Sequence, residues 1–297
     1  MKGFHDKTKG IAFLYDDIYL VNGARTPFGK LCGTLANVSP TDLGIYASRA
    51  AIEKSKIAAN DIDQVIMANI GQSSYDTYFL PRHIGLYAGV PQSVPAVMLQ
   101  RICGSGFETI IAGAEQITLG KADATLCGGT ENMSLAPTVS YGNRMGYALG
   151  RIEFRDFLWE ALNDTAAVPM GCTAENVAKQ YNITHQDADE FAKRSVDLAI
   201  AARERNYFAD EIIPMNSTVF EVEGLKPRKV NLPRGTKDFV TDENIRASTF
   251  EEMAKLPSVF AKDGVQTAAN SSGIVDGAAA VIVANKIFTD AKRLKPL

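Results

Sequence analysis

The chain is poor in the residue types that most readily declare a chemistry. Of its 297 residues only four are cysteine, three histidine and one tryptophan. Cys32, Cys103, Cys127 and Cys172 form no CxxC pair, which excludes zinc ribbons and thioredoxin-like dithiols. So few thiols in so long a chain suit a reducing, cytoplasmic compartment. HExxH and other metal-ligand spacings are missing, as are GxGxxG and GxxxxGK[ST], so neither a metal centre nor a nucleotide-phosphate loop is supported. Gly104-Ser105-Gly106 is not a GxSxG elbow. No apolar run approaches the ~18 residues of a membrane span; the longest, Ala278 to Ala284, reads as a buried strand. Charge is balanced, with 31 basic and 34 acidic residues for a net −3, which removes the electrostatic footprint of a nucleic-acid binder. The one basic cluster, Lys226-Pro227-Arg228-Lys229, reads as a solvated loop. Residues 1–16 lack the apolar core of a signal peptide and read as a loose N-terminal extension.

What is present is an ordinary globular composition, 46% hydrophobic and 22% charged, patterned as α/β. Ile18 to Val21 and Val65 to Ala68 read as buried strands, and Thr41 to Ser55 as a helix by the spacing of its apolar residues. Tyr78 to Ala88 reads as a helix with Pro81 in its first turn. Ser93 to Leu99 reads as a strand, followed by Arg101-Ile102-Cys103-Gly104-Ser105-Gly106. From Phe107 apolar residues recur as Ile110, Ile111, Ala114 and Ile117, and Gly120 supplies a left-handed stop. Ala122 to Cys127 follows as a strand, completing a βαβ unit. These residues, 17–127, form the expected α/β core. Residues 128–265 change character, with a Gly/Ser/Asn/Tyr-rich loop, helices at Thr173 to Tyr181 and Gln186 to Arg205, and an irregular stretch to Val240. They read as an insertion. Residues 266–297 read as a return to the N-terminal core through a buried strand, and as the start of a truncated second α/β half.

One residue carries recognisable chemistry. Cys103 sits where a strand becomes a helix, and the unpaired N–H groups of a helix's first turn favour an anion, a setting that activates thiolates. Gly104 and Gly106 permit a sharp turn there. This is a nucleophile for acyl transfer; the alternative is a small buried hydrophobe, the reading preferred for Cys32, Cys127 and Cys172. A base is harder to find. His5 lies in the N-terminal extension, His83 stands beside Arg82, and His185 opens a solvated helix.

Five segments, in order, resemble the thiolase family. Asn22 to Gly29 is similar to its ARTPFG opening, and Cys103 to Gly106 to its nucleophile turn. Gly128 to Ser134 resembles GGxExMS. Met170-Gly171 with Thr173 to Ala178 resembles MGxTAENVA. Asn270 to Gly273 with Asp276 to Ala280 resembles NxSGxxDGAAA. The resemblance covers Ile18 to Leu297. It implies a layered αβα half carrying an inserted loop domain, with the second α/β half only begun. It implies acetyl-CoA acetyltransferase or 3-ketoacyl-CoA thiolase chemistry, with coenzyme A or acyl-CoA as substrate and no covalently bound cofactor. Cys103 would take the acyl group as a thioester, and its N–H would be one oxyanion donor. Leu158, Met170, Ala268 and Ser272 would line the pantetheine path, and Arg246 would approach the nucleotide. The family leads one to expect a homodimer or homotetramer, with no nucleic-acid or membrane partner.

The family's NEAF asparagine, HPxG histidine and CxGGG cysteine are not found, so the chain as written is expected to be a weak or inactive catalyst alone. Pro169 stands where some biosynthetic members place a histidine, and acyl-chain length stays open. Two other readings are a ketosynthase-like condensing enzyme and a non-catalytic acyl-CoA- or lipid-binding protein.

Overall fold

The computed structural model describes residues 2–6 and 10–297, with side chains from residue 12 onward. Chain order is β1 Lys2–Asp6, β2 Gly10–Leu14, β3 Ile18–Arg25, β4 Gly29–Lys30, α1 Pro40–Lys54, β5 Gln64–Ala68, α2 Leu80–Tyr87, β6 Ala96–Leu99, α3 Ser105–Thr118 and β7 Ala124–Asn132. Then come β8 Thr138–Val139, β9 Arg155–Asp156, α4 Phe157–Leu162, α5 Met170–Tyr181, α6 His185–Glu204, β10 Thr218–Phe220, β11 Arg228–Val230, α7 Phe250–Met253, β12 Val275–Asn285 and α8 Lys286–Ala291.

The centre is one mixed sheet of order β3-β12-β7-β5-β6, with β4 pairing β12 beyond β3. The strands β7, β5 and β6 run parallel, and β12 is antiparallel to both of its neighbours. Period-two alternation sends successive side chains to opposite faces. Val65, Met67, Leu126, Ala280 and Ile282 enter the larger core with α1 and α2. Ile66, Cys127 and Val283 face α3 in a smaller one. The layers are therefore helix, sheet, helix. The N-cap Ser39 accepts from Asp42 N–H and Pro40 occupies the first helical position, so α1 starts where its sequence chemistry places it.

Two sequence expectations need correction. Residues 2–6 and 10–14, expected to be loose, pair as an antiparallel hairpin; residues 1 and 7–9 lie outside the described residues. The insertion expected to begin at residue 128 begins later, because β7 runs on through Gly128 and Gly129 to Asn132. Those glycines belong in the strand because the neighbouring backbone is so near: a Cβ on Gly128 would lie 2.4 Å from Ala279 O. Strand β12 slots between β3 and β7 and completes the first sheet.

The insertion is fastened to this core by charge. Arg25, at the end of β3, holds Asp242 with two nitrogens at 2.8 and 3.1 Å and Glu211 with a third at 2.8 Å. Its guanidinium also lies against the rings of Phe28 and Phe208. On the other side Arg228 of β11 bridges Asp42 of α1 and Asp76, each at 2.6 Å.

Candidate active site

Cys103 lies beyond the carboxyl end of β6, the last strand of the sheet, in the turn that leads into α3. Its side chain is exposed. A helix start leaves N–H groups that its own turns do not use; at α3 that of Ser105 is taken by Ile102 C=O at 3.1 Å, and those that follow it face this end of the helix. Gly129 of β7 lies close below, where an added Cβ would come within 3.9 Å of Gly106 Cα. A Cβ on Gly106 would meet nothing within 4 Å, so space is open above the first turn. Cys127 is the opposite case. It is fully buried beneath α3, and burial pushes its thiol up to about 12.

The turn is built differently from what its glycines suggest. Gly104 has φ −81°, open to any residue. The left-handed position belongs to Ile102, at φ 45°, where a β-branched side chain is strained by about 1–3 kcal/mol. Ser105 spans this kink. Its buried hydroxyl accepts from Arg101 N–H at 2.6 Å and donates to Ile102 C=O at 2.6 Å. Arg101 also pairs with Glu108 in the first turn of α3 at 2.8 Å. Sequence reasoning missed both Ile102 and Ser105. A serine at a helix start signals a cap, and nothing local says that its hydroxyl will reach backward.

Under the same end of the sheet, the Glu131 carboxylate accepts from Ile70 N–H, Gly71 N–H and the Asn69 amide at 2.8–3.1 Å. Burial pushes it above the usual carboxylate range despite those donors.

Among the described residues no histidine bonds to Cys103. His83 stacks on Phe79 with centroids 5.8 Å apart. Its pKa is lowered by burial and then by the Arg228 charge. The cation beside it is thus Arg228 from the insertion and not the expected Arg82, whose guanidinium turns away to the Val94 and Gln92 carbonyls. His185 stands 3.2 Å from Asp189 on its own helix. His5 lies outside the described side chains.

The expected coenzyme A residues divide into groups. Met170 opens α5 and is half exposed. Glu175 of the same helix accepts from Val265 and Gln266 N–H at 2.9 Å, and Asn270 bonds Asp189 of α6 at 2.8 Å. The segment carrying Ala268 and Ser272 is thereby laced to α5 and α6, with both residues exposed. Gly171 allows this packing, since a Cβ there would strike the Phe260 ring at 2.3 Å. Leu158 is half-buried on α4, capped by Asp156, and Arg246 is exposed. Among the described residues none of these five bonds to the Cys103 turn. Two concavities, of about 960 Å³ between Tyr141 and Glu160 and about 260 Å³ between Arg203 and Ile245, also leave Cys103 outside. No group of His, Cys, Asp and Glu fit to hold a metal occurs among the described residues, and none of their helices is long and apolar enough to cross a membrane.

Comparison with known proteins agrees with this architecture. The family model "Thiolase, N-terminal domain" matches residues 18–286. The mitochondrial 3-ketoacyl-CoA thiolase of Mus musculus is 41% identical over 286 residues, covering 94% of this chain and 68% of that protein. A beta-ketothiolase of Cupriavidus necator is 36% identical over 284 residues, covering 95% and 69%. The crystal structure of human mitochondrial 3-ketoacyl-CoA thiolase in complex with CoA superposes with a TM-score of 0.86 at 38% identity, over 94% of this chain and 67% of that one. The Bacillus anthracis acetyl-CoA acetyltransferase gives 0.85 at 34%, over 96% and 70%. With its sheet, its insertion and its sequence matched together over nearly its whole length, the chain belongs to the thiolase family and is, by that membership, an acyltransferase enzyme.

Proposed function

We propose that this chain transfers acyl groups between coenzyme A and Cys103, as an acetyl-CoA acetyltransferase or 3-ketoacyl-CoA thiolase. In the acylation step the Cys103 thiolate attacks the carbonyl carbon of the acyl-CoA thioester. The new bond joins Cys103 Sγ to that carbon, the bond to the coenzyme A sulfur breaks, and coenzyme A leaves as a thiol with the proton Cys103 gave up. Negative charge on the carbonyl oxygen calls for N–H donors, and the Cys103 N–H together with the open first turn of α3 suits that need. Leu158, Met170, Ala268 and Ser272 would flank the pantetheine arm, and Arg246 would meet phosphate. One observation carries this reading: of the two cysteines at α3, Cys103 is exposed at the helix start and Cys127 is sealed beneath it. The exposed aromatic residues Tyr75, Tyr78 and Phe79 support association into a homodimer or homotetramer, which light scattering would read directly.

The test is incubation of the full chain with acetyl-CoA, followed by peptide mass mapping. One acetyl group on Cys103, formed slowly because the HPxG histidine that would activate the thiol is not found in the sequence, removed by added coenzyme A and missing in Cys103→Ala, is the expected result. A chain that binds acetyl-CoA and leaves Cys103 unmodified would sink the proposal in favour of a binding protein.

A further inference from the structure

The bond pattern around the nucleophile turn assigns work to a residue other than the cysteine. Ile102 is held at φ 45°. Left alone, a β-branched residue leaves that region for an extended or helical one, and such a relaxation would swing the next residue, Cys103, to a new direction. Something must hold the kink. Turn hydrogen bonds from Gly104 N–H to Arg101 C=O at 3.0 Å and from Ser105 N–H to Ile102 C=O at 3.1 Å contribute, but these form in many turns. The specific brace is Ser105 Oγ. It is 1% exposed, so water does not compete for it, and at 2.6 Å it takes the Arg101 N–H on one side of the kink and gives its proton to the Ile102 carbonyl on the other. One hydroxyl thus ties the backbone before the kink, at Arg101 N–H, and after it, at Ile102 C=O, to the first residue of α3. The Arg101–Glu108 pair cannot replace it, because its arginine is largely exposed and such pairs contribute little.

We propose that Ser105 is the positioning residue of this site: its hydroxyl keeps Ile102 left-handed and so aims the Cys103 sulfur into the open space at the start of α3. This rests on the reading of Cys103 as the nucleophile, but the geometry it concerns is measurable without any acyl transfer.

Two changes separate the brace from the strain it opposes. Ser105→Ala removes both hydroxyl bonds. Ile102→Gly removes the strain, since glycine takes a positive φ freely. The readout is alkylation of Cys103 by iodoacetamide across the thiol titration range, scored by peptide mass mapping as a ratio to Cys32, an exposed thiol elsewhere. Ser105→Ala is expected to lower the Cys103 to Cys32 ratio roughly tenfold, which equates to about 1.4 kcal/mol, and to change the pH profile of Cys103 alone. Adding Ile102→Gly is expected to return ratio and profile to near the unaltered chain. Labelling of buried Cys127 reports loss of fold. If Ser105→Ala unfolds and the double variant refolds with Cys103 reactive, the brace is supported. An unchanged ratio in Ser105→Ala overturns the proposal, as does a loss that Ile102→Gly fails to repair. Absence of acetyl transfer in the unaltered chain would remove the enzymatic reading and leave these ratios readable.

Discussion

The two faces of the central sheet are packed to very different depths. Beneath α1 and α2 lies a continuous core of fully enclosed side chains, among them Leu43, Ile45, Leu80, Ile84, Leu126 and Ile282, and Arg228 ties the insertion across that side. Beneath α3 the buried apolar cluster is smaller and comprises Ile66, Ile117, Ala122, Cys127 and Val283. There α3 sits close, with a Cβ on Gly113 reaching within 2.6 Å of Thr125 Oγ1, yet it leaves Phe107 77% and Leu119 65% exposed. The well-packed face provides rigidity, and the thin face carries the reactive thiol. This division follows from the chemistry of the two tasks: a core must exclude water, and a nucleophile must be reachable by a large substrate.

The contrast makes predictions that measurement can break. The largest effect is expected on the thick side, from Arg228→Ala. It leaves the buried Asp42 and Asp76 carboxylates without their cation, and a loss of about 3–5 kcal/mol in urea unfolding is expected. Leu126→Ala, in the same core and fully enclosed, should cost about 3 kcal/mol. Ile117→Ala on the thin side should cost less, about 2 kcal/mol, because part of its surroundings can relax toward solvent. If the two alanine variants lose equal stability, the asymmetry of the faces is not energetic.

A pH effect belongs to the thick side as well. Burial and the Arg228 charge hold His83 below its ordinary value of about 6.5. The folded state then binds fewer protons than the unfolded one, so this contribution is complete above about pH 6.5 and is lost as pH falls through the lowered folded value. His83→Gln should therefore flatten the fall in melting temperature between neutral pH and about pH 5. The smallest effect is expected from Phe107→Ser on the exposed face of α3, within about 0.5 kcal/mol. A large loss there would mean that the exposed ring is covered when the protein is in solution.

Much of this was legible from the residues alone. The capping box at Thr184 and Asp187 opens α6 one residue earlier than the helix was expected to start, at His185, and Gly120 takes the left-handed stop after α3 at φ 67°. Both are signals carried within a few positions. The end of β7 was not legible, because Gly128 and Gly129 look like loop until the backbone of β12, some 150 residues on, is laid against them. The neighbour of His83 was misjudged for the same reason. Chain proximity names Arg82, and the fold supplies Arg228.

What the sequence determined by itself was the order of strands and helices in the α/β core, the place of a cysteine at a strand-to-helix turn, and through its five motifs the family. Hydrophobic period, caps and motif chemistry are local, so they survive without a fold. Only the tertiary structure decided that β12 lies in the middle of the sheet, that Arg25 and Arg228 rivet the insertion to the core, and that the strain behind Cys103 rests on Ile102 under a serine brace. Each of these depends on groups meeting across a distance in the chain or on a backbone angle set by surrounding packing, and no reading of neighbours along the sequence contains that information.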